Sequence, residues 1–414
     1  MTGPNAEIPI SAVDTAILGI NATGQPYVVT LAGLLGPGGF VNAAGHPDIE
    51  RLTAFLTPRV EREPDLQHCP QRRDGRWWWV RMPVDISAHI TVESAAGPGG
   101  FEALCGRTVM KPLPLDRPLW HITVAPAARP GQCGIVVRLH HAVVDGTRAT
   151  ALLERLFGPD QEPGATTVAQ TGAARPDSRG PTLPSRVRHG LHMFLRRTVR
   201  SPVLLGTVGD TRDVAAASVD LAELETAARA SGATVNDAYL VAVGQGLRAV
   251  LMDAGEPIPE TLTVSVPVQV DSRGAAHNAV GVMLVAVPLT ESVAALRTVA
   301  RRTSEAKPLA RASGTTIGSP RLVRLFNVFT RHQRVIATVA SNVHGPRQPL
   351  TVDGAPLTEM WALGPLAGNV RVGFTAVSYA GRLSVGIESD ADHLPPASRI
   401  ADSVGRALQS IIDT

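Results

Sequence analysis

His140 and His141, with Asp145 four residues beyond the second imidazole and Gly146 next to it, are the residues of this chain best suited to acid–base chemistry. An imidazole at the end of an apolar strand is partly desolvated, so its neutral form is favoured and it can accept a proton near neutral pH. Two tasks are open to Asp145. It can orient the imidazole directly, or hold the loop through backbone and arginine contacts while Gly146 adopts an unusual dihedral. A bare His-His pair is more often the buried end of a strand. The longer pattern His-His-x-x-x-Asp-Gly moves the balance toward function.

The surrounding residues supply the elements that would hold this loop. Ile135, Val137, Leu139 and His141 alternate with Val136, Arg138 and His140, so Gly134 to His141 reads as a strand. Ala149, Leu152, Leu153 and Leu156 recur at helical spacing beyond the Asp-Gly turn, giving strand, sharp loop, helix. Leu119 to Val124 reads as a second strand that could pair with the first as a hairpin. Upstream, Ser11 and Asp14 have the spacing of a capping box, and Pro47 to Arg62 and Phe101 to Met110 read as helices. Trp77, Trp78 and Trp79 read as packing, and His89 as a structural histidine.

From Gly158 to Ser185 large apolar residues almost vanish and periodicity is lost. The expected organisation is therefore an amino-terminal lobe over residues 1–160, a flexible crossover over 161–185 and a carboxy-terminal lobe over 186–414. Residues 186–200 carry five arginines on an amphipathic helical pattern, suited to an anionic bilayer, a phosphorylated carrier, or packing on the second lobe. Thr234 to Asp237 is a capping box opening a helix. Thr261 to Val270 reads as a strand, and Val280 to Leu289, apolar on both faces, as a buried one. Val335 to Ser341 reads as a strand ending at Asn342. Ala380-Gly381 joins the two strands of a hairpin, and Ala397 to Ile412 closes the chain as a helix.

Composition narrows the class. A formal charge of +3 on 414 residues gives no nucleic-acid footprint, and Cys69, Cys105 and Cys133 have no metal-ligand spacing and fit a reducing compartment. No apolar run reaches the roughly twenty residues of a membrane span. The expectation is a cytoplasmic protein, soluble or peripherally membrane-bound, with no metal and no bound cofactor.

His140-His141-Ala142-Val143-Val144-Asp145-Gly146 resembles the signature of the thioester-dependent acyltransferases and condensation domains, which include chloramphenicol acetyltransferase and the plant acyltransferases. Further stretches resemble the bacterial wax ester synthase/diacylglycerol acyltransferases in particular. Pro114 to Trp120 looks like their Pro-Leu-Trp motif, Val235-Asn236-Asp237 like their Asn-Asp motif, and Ser341 to Pro346 like their Asn-Val-Pro-Gly-Pro loop. Order and approximate spacing agree from Pro9 to about Asp392. Arg273 and Asn278 lie in a loop where that family carries an arginine and then Gly-Asn, but His277 stands in place of the glycine.

The resemblance implies an α/β (α+β) fold, a two-lobed chloramphenicol-acetyltransferase-like pseudo-dimer of mixed sheets covered by helices, with a tunnel between the lobes. It implies acyl-CoA, or an acyl-carrier thioester, as co-substrate and a long-chain alcohol or diacylglycerol as acceptor. His141 would be the general base, with His140, Asp145 and Gly146 completing the catalytic loop. Asn236, Asn278, Arg273, Ser341, Asn342 and Trp120 are the candidates for substrate binding, with Arg273 also the candidate partner of Asp145. A tailoring acyltransferase acting on a specialised scaffold and a non-catalytic thioester-binding module are the alternatives. Nothing resembles a Gly-x-Ser-x-Gly elbow or a phosphate-cradling loop.

Overall fold

The computed structural model describes residues 7–20, 25–97, 99–159, 198–269, 280–290, 293–312, 328 and 330–414. The crossover, most of the arginine-rich stretch 186–200, and Arg273, His277 and Asn278 lie outside the described residues.

The first half of the described chain runs β1 (Ile8–Pro9), α1 (Ala12–Ile20), β2 (Val28–Leu35), α2 (Ile49–Glu61), β3 (His68–Arg73), β4 (Arg76–Arg81), β5 (Ile90–Val92), α3 (Gly100–Val109), β6 (Trp120–Arg129), β7 (Gln132–His140) and α4 (Gly146–Phe157). The second half runs β8 (Arg212–Asp220), α5 (Leu221–Ala230), α6 (Val235–Asp253), β9 (Thr261–Gln269), β10 (Val280–Pro288), α7 (Val293–Ala312), β11 (Thr338–His344), β12 (Thr351–Val352), β13 (Ala355–Leu363), β14 (Val372–Tyr379), β15 (Arg382–Asp390) and α8 (Ala397–Ile412).

Two six-stranded mixed sheets result, in the orders β12-β13-β2-β7-β6-β5 and β10-β9-β11-β14-β15-β8, with a small sheet β1-β4-β3 beside the first. The expected hairpin is present as β6 and β7, with Trp120 opposite Leu139 and Val124 opposite Ile135. Two strands of the first sheet come from the far end of the chain. β13 pairs antiparallel with β2, Trp361 facing Ala32, so the amino-terminal sheet is not built from residues 1–160 alone.

β2 and β7 lie inside the first sheet, and because both faces of the sheet are covered nearly every residue of the two strands is buried. One face packs on α2 and α4 through Leu52, Leu56, Leu152, Leu153 and Leu156. The other meets α3 through Phe101, Leu104 and Cys105. In the second sheet, α5, α6, α7 and α8 share one core, and strand residues on the opposite face reach the first lobe. The approach is close: a Cβ on Gly386 of β15 would sit 2.1 Å from the Ala362 carbonyl oxygen of β13.

One expected strand changes character. β10 is an edge strand, with Met283, Val285 and Val287 in the core and Val282 54% exposed. Apolar residues at every position suggested burial on both faces. Topology at the sheet edge decides otherwise.

Candidate active site

β7 delivers His141 to the junction of the lobes. The His141 N–H donates to the Tyr27 carbonyl (3.0 Å), and the amides of Val143 and Val144 both donate to the His140 carbonyl (2.9 and 3.3 Å), which turns the chain into α4. The two adjacent imidazoles then part, as strand alternation requires. His140 is sealed in the interior, where its Nδ1 accepts from the Ala142 N–H at 3.1 Å. That bond leaves its proton on Nε2 and makes the ring a brace for the turn. His140, expected in the catalytic set, is not among the residues lining the cavity. Burial, reinforced by the neighbouring His141, pushes it down to about 3.

His141 is half-buried and lines a cavity of about 130 Å³ between the lobes. Burial lowers its pKa below the ordinary histidine value, partly opposed by a backbone hydrogen bond, by Asp145 and by Asp14. A neutral imidazole therefore faces the cavity at neutral pH. Tyr27 closes one side, its ring centroid 5.2 Å from that of His141 and its plane tilted by 48°. Burial raises the Tyr27 pKa, so its hydroxyl keeps its proton.

Asp145 caps α4: its Oδ1 accepts the Arg148 N–H at 2.8 Å. Of the two tasks open to this carboxylate, holding the loop is the one for which a bond is seen. Arg148 in turn reaches Asp65 of the same lobe at 2.7 Å. Gly146 lines the cavity, but not through an unusual dihedral, since its φ lies outside the left-handed region. Glycine is required because a Cβ there would stand 2.9 Å from Val343 Cγ2 of β11, in the other lobe. One turn further on, the Thr150 hydroxyl donates to the His344 carbonyl (2.9 Å), a hydrogen bond across the seam.

The second lobe contributes Val339, Ser341 and Val343 on one face of β11, as alternation dictates. Ser341 is thus at the cavity, as expected. Asn342 points the other way, where its Nδ2 donates to Asn236 Oδ1 at 3.2 Å. The two asparagines do come together, but not among the cavity residues. Asp237 completes the capping box on Thr234 and accepts from the Thr303 hydroxyl at 2.6 Å. Trp120 is likewise a core residue: its Nε1 donates to the Leu66 carbonyl (3.0 Å) and its ring stacks on His89 at 4.1 Å.

Three polar cavity residues, Tyr27, Thr150 and Thr375, escaped the sequence. Thr375 stands opposite Ser341 in the parallel pairing of β11 with β14, so two hydroxyl side chains sit side by side on the same wall. Only strand register reveals that pair. Tyr27 and Thr150 carry no pattern of their own, although Thr150 lies one helical turn past Gly146. Apolar residues such as Val29, Leu31, Leu363 and Phe374 form most of the remaining wall. Among the described residues no group of three or more His, Cys, Asp or Glu side chains could hold a metal ion. None of the described helices is long and apolar enough to cross a membrane.

Two mixed sheets closing on an imidazole at their seam define the two-lobed architecture of thioester-dependent acyltransferases. Solved structures agree on this fold. The wax ester synthase/diacylglycerol acyltransferase of Marinobacter aquaeolei superposes with a TM-score of 0.70 over 98% of both chains, at 21% identity. Polyketide synthase associated protein 5 of Mycobacterium tuberculosis superposes at 0.60 over 99% of both, at 15% identity. In sequence, a provisionally named diacylglycerol O-acyltransferase of Mycobacterium tuberculosis is 27% identical, with 98% of this chain and 90% of that one aligned. Residues 10–202 match the wax ester synthase/diacylglycerol acyltransferase catalytic domain and residues 276–412 the C-terminal domain of the same family. The chain belongs to that family and is an acyl-CoA-dependent O-acyltransferase.

Proposed function

We propose that this enzyme transfers a long-chain acyl group from coenzyme A to the hydroxyl of a long-chain alcohol or diacylglycerol, with His141 as general base. His141 takes the hydroxyl proton as the alkoxide oxygen attacks the thioester carbonyl. The tetrahedral oxyanion is met by the hydroxyls of Ser341 and Thr375, and the imidazolium returns the proton to the departing thiolate. The ester and free coenzyme A balance the reaction without an acyl-enzyme.

The observation that carries this reading is a neutral imidazole facing a mainly apolar cavity with two adjacent hydroxyls on its wall. A volume of about 130 Å³ is well below the roughly 300–1,000 Å³ of ordinary ligand pockets, so it suits the reacting ends of the substrates, not their full length. Its lining favours hydrocarbon next to the thioester over a polar scaffold. Docking on the bilayer that holds such acceptors, through the arginines of residues 186–200, belongs to the same reading and rests on sequence alone.

The test is incubation with acyl-CoA donors of graded length, with and without hexadecanol or dioleoylglycerol, following free thiol and ester by mass. Alkanol-dependent thiol release, lost by about 10²–10⁴-fold in His141→Ala, is expected. Equal donor binding by wild type and variant with no turnover by either would leave a binding module in its place.

A further inference from the structure

Arg138 of β7 is a buried charge without a counter-charge. Its residue is 3% exposed, on the face of the strand opposite to that of His141, and it makes no ion pair among the described residues. The buried arginines of the second lobe differ: Arg212 lies 3.4 Å from Glu388 and Arg371 lies 3.6 Å from Asp390. A guanidinium taken out of water needs such compensation. Glu93, the carboxylate whose charge reaches Arg138, is itself bound by Lys111 at 2.6 Å. Two cations and one carboxylate leave one positive charge over, and burial pulls Arg138 down to about 10.

Hydrogen-bond donors are in excess at the same place. Arg138 Nη1 donates to the Lys111 carbonyl beyond α3, which uses one of five N–H groups, while the buried Nε–H has no partner among the described residues. Thr30, directly opposite Arg138 in the β2–β7 register and 0% exposed, has a hydroxyl that is likewise unpartnered. Next on the same face of β7, His140 has committed Nδ1 to the Ala142 amide, so its unpartnered Nε2 is a third donor. Directly opposite strand residues stand about 5 Å apart at Cβ, and alternate residues about 7 Å apart along a strand. One acceptor with donors about 3 Å away on each side spans such a group. His121, opposite Arg138 in the β6–β7 register, is engaged with Thr91 Oγ1 at 3.0 Å, and burial together with the Arg138 charge holds it near 4, so it is neutral at neutral pH.

We infer that this face of the β2–β7 pair is an anion site, in which a small inorganic monoanion of the halide type is held by the Arg138 Nε–H, the Thr30 hydroxyl and the His140 Nε2–H. A single negative charge balances the one that is left over. All three residues are buried, so nothing larger than a few atoms reaches them. The site lies behind the turn that carries His141, on the opposite face of β7, and its occupant ties β2 to β7 without touching a substrate in the cavity.

The experiment follows thermal unfolding of the full chain at fixed pH and ionic strength as sodium gluconate is replaced by sodium chloride or bromide, with anomalous diffraction from bromide-soaked crystals. The wild type is expected to gain about 2–6 °C in Tm with a saturating dependence on halide. A bromide peak is expected within about 3.5 Å of Arg138 Nε and Thr30 Oγ1. Arg138→Met, which keeps most of the bulk and removes the charge, is expected to lose the halide-dependent part, and Thr30→Val to weaken the apparent halide Kd by about three- to tenfold. A Tm that does not distinguish halide from gluconate, or a halide response that persists in Arg138→Met, overturns the inference. Bromide peaks confined to the protein surface mean an adventitious ion only and overturn it as well. Should Arg138→Met fail to fold, Thr30→Val decides: an unchanged halide Kd in that variant removes the site.

Discussion

The loop after β7 and the loop after β15 follow the same backbone course. In the first, His140 N–H donates to Leu119, His141 N–H to Tyr27, and the Val143 and Val144 amides to the His140 carbonyl. In the second, Asp390 N–H donates to Arg371, Ala391 N–H to Thr211, and the His393 and Leu394 amides to the Asp390 carbonyl. Each loop follows an antiparallel hairpin and feeds a helix. The halves of the molecule are thus repeats of one design, and two adjacent positions separate the loops in chemistry. Where the first repeat carries His141, the second carries Ala391.

The neighbouring position shows what the second repeat does with the same turn. The interior imidazole of His140 is replaced by the buried carboxylate of Asp390, which accepts from the Gly209 and Asp392 amides (3.0 and 3.1 Å) and from His393 Nδ1 (2.8 Å). That loop ties down the approach to β8. An inherited backbone turn is therefore not a site; it becomes one only where a base projects into the seam between the lobes.

The sharpest way to break this comparison is to move the base. His141→Ala with Ala391→His in the same chain is expected to stay inactive, since position 391 is outside the cavity lining, and His393→Ala alone to keep acyl transfer within about twofold of wild type, against the roughly 10²–10⁴-fold effect of a lost general base. Turnover in the double variant, measured by ester formation, would show that either repeat can host the reaction.

Part of the loss of stability in acid should come from the first loop. His140 is held near 3 in the folded chain, whereas an unfolded histidine titrates near 6.5. The unfolded chain binds a proton that the folded chain refuses, so stability is lost as pH falls from about 6.5 toward 3, at up to about 1.4 kcal/mol per pH unit for this one group. His140→Gln, which keeps an acceptor for the Ala142 amide, is expected to flatten that slope in denaturant titrations. A slope equal to wild type removes His140 as its cause.

Gly146 tests the seam itself. Gly146→Ala is expected to lose about 1–3 kcal/mol and to lower kcat, as overpacking does, and Val343→Ala in the same chain to restore much of both. A double variant no better than the single one would mean that glycine is needed for its backbone. Smallest are the caps. α4 is capped from within its loop by Asp145, whereas α8 begins at Pro396 without a side-chain cap, and Asp213 Oδ2 of β8 accepts the Ala397 N–H at 2.8 Å. Asp145→Ala and Asp213→Ala should each cost about 1 kcal/mol in thermal unfolding, while Asp145→Asn should stay close to wild type.

Much of the scaffold was legible because it depends on local spacing. The β6–β7 hairpin, the strand-loop-helix around His141, the box at Thr234 and Asp237 and the inward histidine His89 all follow from alternation, helical recurrence and capping chemistry. Misreadings occurred where a residue's neighbours come from elsewhere in the chain. β10 looked buried because every position is apolar, yet no further strand pairs with its outer edge among the described residues. Trp120, Asn236 and Asn342 carry polar groups that suited a binding wall; those groups bond to the Leu66 carbonyl and to each other, and none of the three is among the cavity residues.

The sequence by itself determined that an imidazole, a capped helix and a glycine would follow one another at the end of an apolar strand, since each of those choices is made within a few residues. Only the tertiary structure decided that Val343 crowds the glycine, that Thr375 stands beside Ser341, and that β13 joins the first sheet. Those facts depend on strand register and on how two lobes close together, and neither is written in any single stretch of the chain.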